Sequence, residues 1–451
     1  MITRRFVRAG VIVFVTLEAL AIAVNAGNGP NMFAFADPSG IVRTFNVNGA
    51  IDFDNPFFQS LGTNGRSCGS CHQAADGWTI VPSHVRARFD ATGGEDPIFR
   101  TNDGSNSPAA DVSTIEARRS AYSMLLSKGL IRVGIGVPAN AEFELIDADD
   151  PYGYASAAEL SLFRRPLPAA NLAFLATVMW DGRETFPDRS IHFDLRDQAN
   201  SATLGHAAAS VPLTEDQRNA IVRFETGLFT AQSADNDAGV LHAHGADGGP
   251  VELSRQPFFI GINDVLRPGF NPRAFTLFDA WRRLRSNERD PYTDAREAVA
   301  RGQELFNTRS FTIAGVRGVN DVLGVAAFSG TCTTCHNTPN VGNHSTSLPL
   351  DLGLTTAAVR TPDLPLYTFR NKTTGEVVQT TDPGRALITG KWSHMSLFKG
   401  PILRGLAARA PYFHNGFAAT LADVVEFYNG RFTIGLSARE KSDLVAFLRA
   451  L

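Results

Sequence analysis

The feature that most limits what this chain can become is the placement of its cysteines. There are four in 451 residues, in two pairs: Cys68-Gly69-Ser70-Cys71 and Cys332-Thr333-Thr334-Cys335. Such pairs serve structural disulfides in exported proteins, redox dithiols and Cys/His zinc sites. A histidine follows each pair at once, His72 and His336. C-x-x-C-H is the attachment pattern of c-type haem. Two thiols about one helical turn apart reach the two vinyl groups of one porphyrin, and the adjoining imidazole supplies the proximal nitrogen to iron. The pattern occurs twice and leaves no cysteine over. The residues therefore point to two covalently bound haem c groups. Cys68, Cys71, Cys332 and Cys335 are the anchors, and His72 and His336 the iron ligands.

The N-terminus reads as a targeting segment. Arg4, Arg5 and Arg8 precede an apolar run from Ala9 to Val24 that only Thr16 and Glu18 interrupt. Val24-Asn25-Ala26 then offers small residues for cleavage after Ala26. The run is short for a membrane span, and Glu18 weakens it further. A removed signal peptide at 1–26 and a periplasmic, exported protein without a stable span are expected. A net charge of −3 gives no basic field for nucleic acid.

Apolar spacing predicts helices over Ile115–Leu126, Ala157–Phe163 and Ala295–Phe306, with a short one over Phe53–Leu61. Thr214 with Gln217, Thr420 and Ser437 with Glu440 read as caps of Thr214–Phe229, Leu421–Tyr428 and Ala438–Leu451. Residues 27–50 carry few periodic signals, and Ala231–Gly249 reads as a surface loop. The expected fold is mainly α, with two cytochrome c-like haem domains and long loops. The divisions are a signal peptide at 1–26, an N-terminal haem domain at 27–290 and a C-terminal haem domain at 291–451.

Further motifs stand in order around the haem pairs. Met179-Trp180-Asp181-Gly182-Arg183 lies between them. Phe398-Lys399-Gly400-Pro401-Ile402-Leu403-Arg404, Ala410-Pro411-Tyr412-Phe413-His414-Asn415-Gly416 and Thr420–Tyr428 follow the second. In this the chain resembles the bacterial di-haem cytochrome c peroxidases and the related MauG. The resemblance implies a reactive N-terminal haem on His72, where hydrogen peroxide meets iron, and an electron-transfer C-terminal haem on His336. It implies that Trp180 carries electrons between them. A small redox protein or a protein substrate would be the electron donor. Calcium held between the domains by backbone and amide oxygens is a further candidate ligand, one that leaves little sequence trace.

Two positions depart from the peroxidase pattern or leave alternatives. The sixth ligand of the second haem is a Met in the peroxidases and a Tyr in MauG, and the matching position here is Tyr428. Met395 is the competing ligand. An ionised Tyr would stabilise oxidised iron, whereas Met would raise the reduction potential. On the first haem, the family places a proton-moving Glu about twenty residues after W-D-G-R. Leu195–His206 has no Glu at its end, and His206 is the nearest titratable group. It could act as acid and base, bind the iron, or be a loop histidine. A di-haem electron carrier without peroxidase activity is therefore the alternative function. His84 lies in the region where the peroxidases hold a removable ligand. His242 and His244 read as solvated surface, and His414 as ordering the second haem's surroundings.

Overall fold

A computed structural model of the chain describes residues 28–29, 31–259, 261–266, 269–284, 290–343 and 349–451. The expected signal peptide at 1–26, and residues 285–289 of the expected join, lie outside the described residues.

The fold is mixed α/β, not mainly α: helix makes up 34% and strand 17%. Strands β1 (Phe33–Asp37), β2 (Gly40–Asn46), β6 (Leu228–Asp235) and β7 (Gly239–Val240) form an antiparallel sheet in that order. Both β1–β2 and β6 fall in segments that lacked a strand signal, and the reason is chemical. The buried face of β2 is Gly40, Val42, Thr44 and Asn46, and β6 buries Thr230, Gln232, Ser233 and Asp235. A core-facing row that is half polar carries no hydrophobic alternation to read. Part of the row is bonded internally: Thr44 and Thr230 share a hydroxyl bond of 2.8 Å, and the Trp78 indole donates to Thr44 Oγ1 at 2.8 Å.

The stretch expected as a helix at Ala157–Phe163 instead contributes β5 (Leu160–Arg164), paired with β3 (Ile131–Ile135). All five residues of β5 are buried, so the run lacks the two-residue alternation of a half-buried strand. Strand β4 (Phe143–Asp149) pairs with β10 (Leu366–Asn371), which also carries β11 (Val377–Thr380). A hairpin of β8 (Phe311–Ala314) and β9 (Ala327–Gly330) leads into the second cysteine pair.

The helices are α1 (Pro82–Thr92), α2 (Ile115–Ala121), α3 (Ser123–Lys128), α4 (Ile191–His206), α5 (Glu215–Gly227), α6 (Thr293–Thr308), α7 (Leu421–Arg431) and α8 (Ala438–Arg449). Capping boxes open α5 at Thr214/Gln217, α7 at Thr420/Asp423 and α8 at Ser437/Glu440. Helices α6 and α8 cross at Gly302, where a Cβ would lie 1.9 Å from the Asp443 carbonyl oxygen. That crossing anchors a core of Phe275, Phe278, Trp281, Phe306, Leu444 and Phe447. No helix of the described residues is long and apolar enough to cross a membrane.

Candidate haem sites

Each cysteine pair sits on a single helical turn at the wall of a cavity. Cys68–Ser70 is held by a reciprocal bond pair between Ser67 and Ser70, and Cys332–Cys335 by one between Thr331 and Thr334. None of the four thiols is in a disulfide. Each motif histidine donates from Nδ1 to one carbonyl: His72 to Trp78 O at 3.0 Å, His336 to Gly342 O at 2.6 Å. Since a carbonyl only accepts, both rings carry the proton on Nδ1, which leaves Nε2 as the free lone pair. Burial pushes both imidazoles down to about 4, so both are neutral at physiological pH. A neutral imidazole oriented by a carbonyl is the form that ligates iron.

The N-terminal cavity is lined by Arg66, Cys68, Cys71, His72, Gln198, Ala202, His206 and Glu225. Gln198, Ala202 and His206 are spaced by four residues and share one face of α4. An aromatic cluster of Phe57, Phe58, Trp78 and Phe224 backs the cysteine turn, with ring centroids 5.0 to 6.4 Å apart. The C-terminal cavity is mostly apolar: Phe306, Ile313, Leu350, Leu403, Val425 and Leu448 surround Cys332, Cys335 and His336. Tyr428 enters it from α7, its ring centroid 6.5 Å from that of His336. Burial holds its phenol above the usual range. Met395 is also buried but belongs to another core, beside Phe143, Tyr367 and Phe369, and does not line this cavity.

Trp180 lines both cavities. Its indole donates to Arg165 O at 2.7 Å, and its ring meets His414 edge-on at 6.1 Å. The adjacent Asp181 is fully buried and pairs with Arg164, whose guanidinium also grips Asp382 at 2.7 and 2.9 Å. Burial alone would raise Asp181. Arg164, then Arg183, overcome it and hold the carboxyl at about 2.

The residues suit covalently bound haem. Arg165, Arg409 and Lys399 line the N-terminal cavity and have no carboxylate within ion-pair distance among the described residues. Their hydrogen bonds go to backbone carbonyls: Arg165 to Ile80 O at 2.7 Å, Arg409 to Ile402 O at 3.0 Å, Lys399 to Thr177 O at 2.9 Å. Burial pushes both arginines down to about 10 and Lys399 down to about 7. Buried cations without counter-ions are costly. A haem brings two propionate carboxylates, the charge this wall lacks. Buried His414 Nε2 likewise has no partner.

Comparison with known proteins agrees. No family model matches the chain. Cytochrome-c peroxidase IdrP1 of Pseudomonas sp. (strain SCT) is 29% identical over 322 residues, 63% of this chain and 82% of that protein. Cytochrome-c peroxidase IdrP2 of Denitromonas iodatirespirans is 36% identical over 132 residues, 27% of this chain and 36% of that one. Cytochrome c551 peroxidase of Nitrosomonas europaea is 31% identical over 137 residues, 29% and 34% of the two chains. The chain is similar to bacterial cytochrome c peroxidases, and the likeness supports the di-haem cytochrome c peroxidase/MauG family. It spans about a third of the length of the last two relatives. A solved MauG-like protein associated with microbial copper homeostasis overlays 88% of the chain with a TM-score of 0.38 and 16% identity. The likeness implies covalently bound haem c.

The N-terminal cavity differs from the sequence expectation. Helix α4 brings no carboxylate there, but α5 brings one. Glu225 is 6% exposed, its Oε2 has no hydrogen-bond partner, and burial pushes it up to about 8. Sequence reasoning missed it because Glu225 occupies one more position on the apolar face of a firmly capped helix, next to Phe224. A carboxylate among Ile221, Val222 and Phe224 was the available signal. His84 points elsewhere: it pairs with the buried Asp76 and lies half-exposed. His244 sits 3.6 Å from Asp290. Among the described residues no group of three or more His, Cys, Asp or Glu suits a metal ion.

Proposed function

We propose that this protein is a periplasmic di-haem c-type oxidoreductase that reduces hydrogen peroxide with electrons from a small redox protein or a protein substrate. The observation that carries the reading is that two cavities, each walled by a C-x-x-C-H motif, meet at Trp180. Arg4, Arg5 and Arg8 and the apolar run Ala9–Val24 after them support export.

In this reading Cys68 and Cys71 hold one haem and Cys332 and Cys335 the other. His72 and His336 present Nε2 to iron, and Tyr428 is the second protein ligand of the C-terminal haem. The bound haems supply the redox-active iron that exchanges electrons with peroxide and donor. Arg165, Arg409 and Lys399 bind propionates. Trp180 sits where electrons pass between the two sites. In the N-terminal cavity His206 moves a proton from one peroxide oxygen to the other. Overall, one peroxide takes two electrons from the donor and two protons from water and gives two water molecules.

An electron carrier would have no use for a titratable His206 and a buried carboxyl in one cavity, and those groups favour the peroxidase reading. The test uses the holoprotein with hydrogen peroxide and a reduced small c-type cytochrome. Two donor electrons should be consumed per peroxide, and His206→Ala should lower kcat by about a hundredfold or more. No peroxide-dependent oxidation of the donor, together with low-spin EPR signals only in both the oxidised and half-reduced states, would leave the carrier reading in its place.

A further inference from the structure

We propose that Asp103 is the positioning residue for His206, fixing the proton on its Nδ1 so that Nε2 is the nitrogen left for peroxide. The inference rests on the reading of His206 as the proton-moving group.

Asp103 is 6% exposed and lies in the loop between α1 and α2. Its two carboxylate oxygens have separate partners: Oδ1 accepts from Arg66 Nη1, and Oδ2 accepts from His206 Nδ1. The loop is itself anchored, since Asp103 O accepts from the β3 amide of Arg132 at 2.7 Å. Arg66 is 3% exposed and tied to Pro97 O at 2.8 Å and Ile98 O at 2.6 Å, so it holds the carboxylate from a fixed frame.

The main chain of His206 is fixed independently. Its carbonyl, at the end of α4, accepts from Asn64 Nδ2 at 2.8 Å, Arg66 Nη1 at 3.2 Å and Asn102 Nδ2 at 3.3 Å. A helix end leaves such carbonyls without intrahelical partners, so three side-chain donors there immobilise the last turn. These bonds secure the backbone without touching the imidazole. The bond from Nδ1 to Asp103 is what sets the ring.

A carboxylate has only lone pairs to offer, so an ionised Asp103 requires the proton on Nδ1. Burial opposes its ionisation, but His206 and then Arg66 outweigh it and keep the carboxyl below its ordinary range. His206 lines the same cavity as His72. The proton taken at Nε2 from one peroxide oxygen is returned to the other; as the O–O bond breaks that oxygen leaves as water, and the remaining oxygen takes the two donor electrons and two protons from water to become the second water molecule. Asp103 stays ionised throughout and stabilises the imidazolium while it exists. This matches the general pattern in which a buried carboxylate orients a histidine base without itself gaining the proton.

The test compares four variants of the holoprotein: Asp103→Asn, His206→Ala, their combination, and Asn102→Ala as a control that removes a bond to the same carbonyl. Steady-state peroxide turnover is measured, with haem content and Tm for each. Asp103→Asn should lower kcat at least tenfold with the KM for peroxide nearly unchanged. The double variant should be no slower than His206→Ala alone, because residues acting as a unit are non-additive. Asn102→Ala should keep its kcat. If Asp103→Asn does not fold, Asp103→Glu retains the charge, and its kcat should exceed that of His206→Ala. Multiplying effects of Asp103→Asn and His206→Ala would overturn the positioning role. So would a kcat loss in Asn102→Ala as large as that in Asp103→Asn. If His206→Ala turns over peroxide at the wild-type rate, the reading of His206 fails first.

Discussion

The two cavities begin from the same five-residue motif and are equipped for different work. Around His72 the protein assembles titratable and charged groups: His206 with Asp103 and Arg66, Glu225, Arg165 and Arg409. Around His336 it assembles hydrocarbon, with Tyr428 reaching in from α7. A haem whose far face meets a closed apolar wall and a protein ligand suits electron transfer, whereas proton chemistry needs groups that hold and release protons. The difference teaches that the attachment motif fixes the cofactor but not its task. The side chains that set the two cavities apart come from α4, α5 and α7, which are distant from the motifs in sequence.

The first way to break the comparison is to cut the link between the two regions. Arg164 joins Asp181, next to the shared Trp180, to Asp382, and all three are buried. Arg164→Leu removes the buried cation that two buried carboxylates share, leaving Asp181 with Arg183 alone and Asp382 with no cation, and should cost about 3–5 kcal/mol in urea unfolding of the holoprotein. A loss near zero would show that the triad does not clamp the segment between the sites.

The next prediction tests the buried carboxyl that sets the N-terminal cavity apart. Glu225 is held at about 8 in the folded protein, against an ordinary 4.5. Between those values the folded state binds more protons than the unfolded one, so stability falls as pH rises from about 4.5 to about 8. Glu225→Gln should remove a decline on the order of 5 kcal/mol. Equal slopes in both proteins would mean the carboxyl is solvated.

The comparison is sharpened on its other side by Tyr428→Phe. It should change the EPR signal of one haem and leave that of the other, while Met395→Ala, in a separate core, should change neither. A change in both signals with Tyr428→Phe would contradict its placement in the C-terminal cavity alone. The smallest effect is expected away from both sites. The Asp76 bond raises His84, so that pair stabilises fully below the unfolded value of about 6.5 and loses its effect as pH rises through the folded value. Because the ring is half-exposed, His84→Ala should cost under about 1 kcal/mol, at low pH only.

Much of the framework was legible in the chain. The two C-x-x-C-H pairs are legible from their spacing, and the capped helices α5, α7 and α8 follow from side-chain chemistry at their first turns. The sheets were not legible, because β2 and β6 bury Thr, Asn, Gln and Ser on their inner faces and β5 is buried throughout. Periodicity reports the contrast between apolar and polar, and these strands have little of it.

By itself the sequence determined what is set by covalent spacing and local backbone needs: two C-x-x-C-H motifs, and the stops and starts of the stronger helices. Only the tertiary structure decided which groups face which cavity. Asp103 and His206 are about a hundred residues apart, and Glu225 lies on a different helix from the one where a carboxylate was expected. Such meetings depend on how α4, α5 and the loop before α2 pack. No local propensity encodes that packing, because it arises from burial of many surfaces at once.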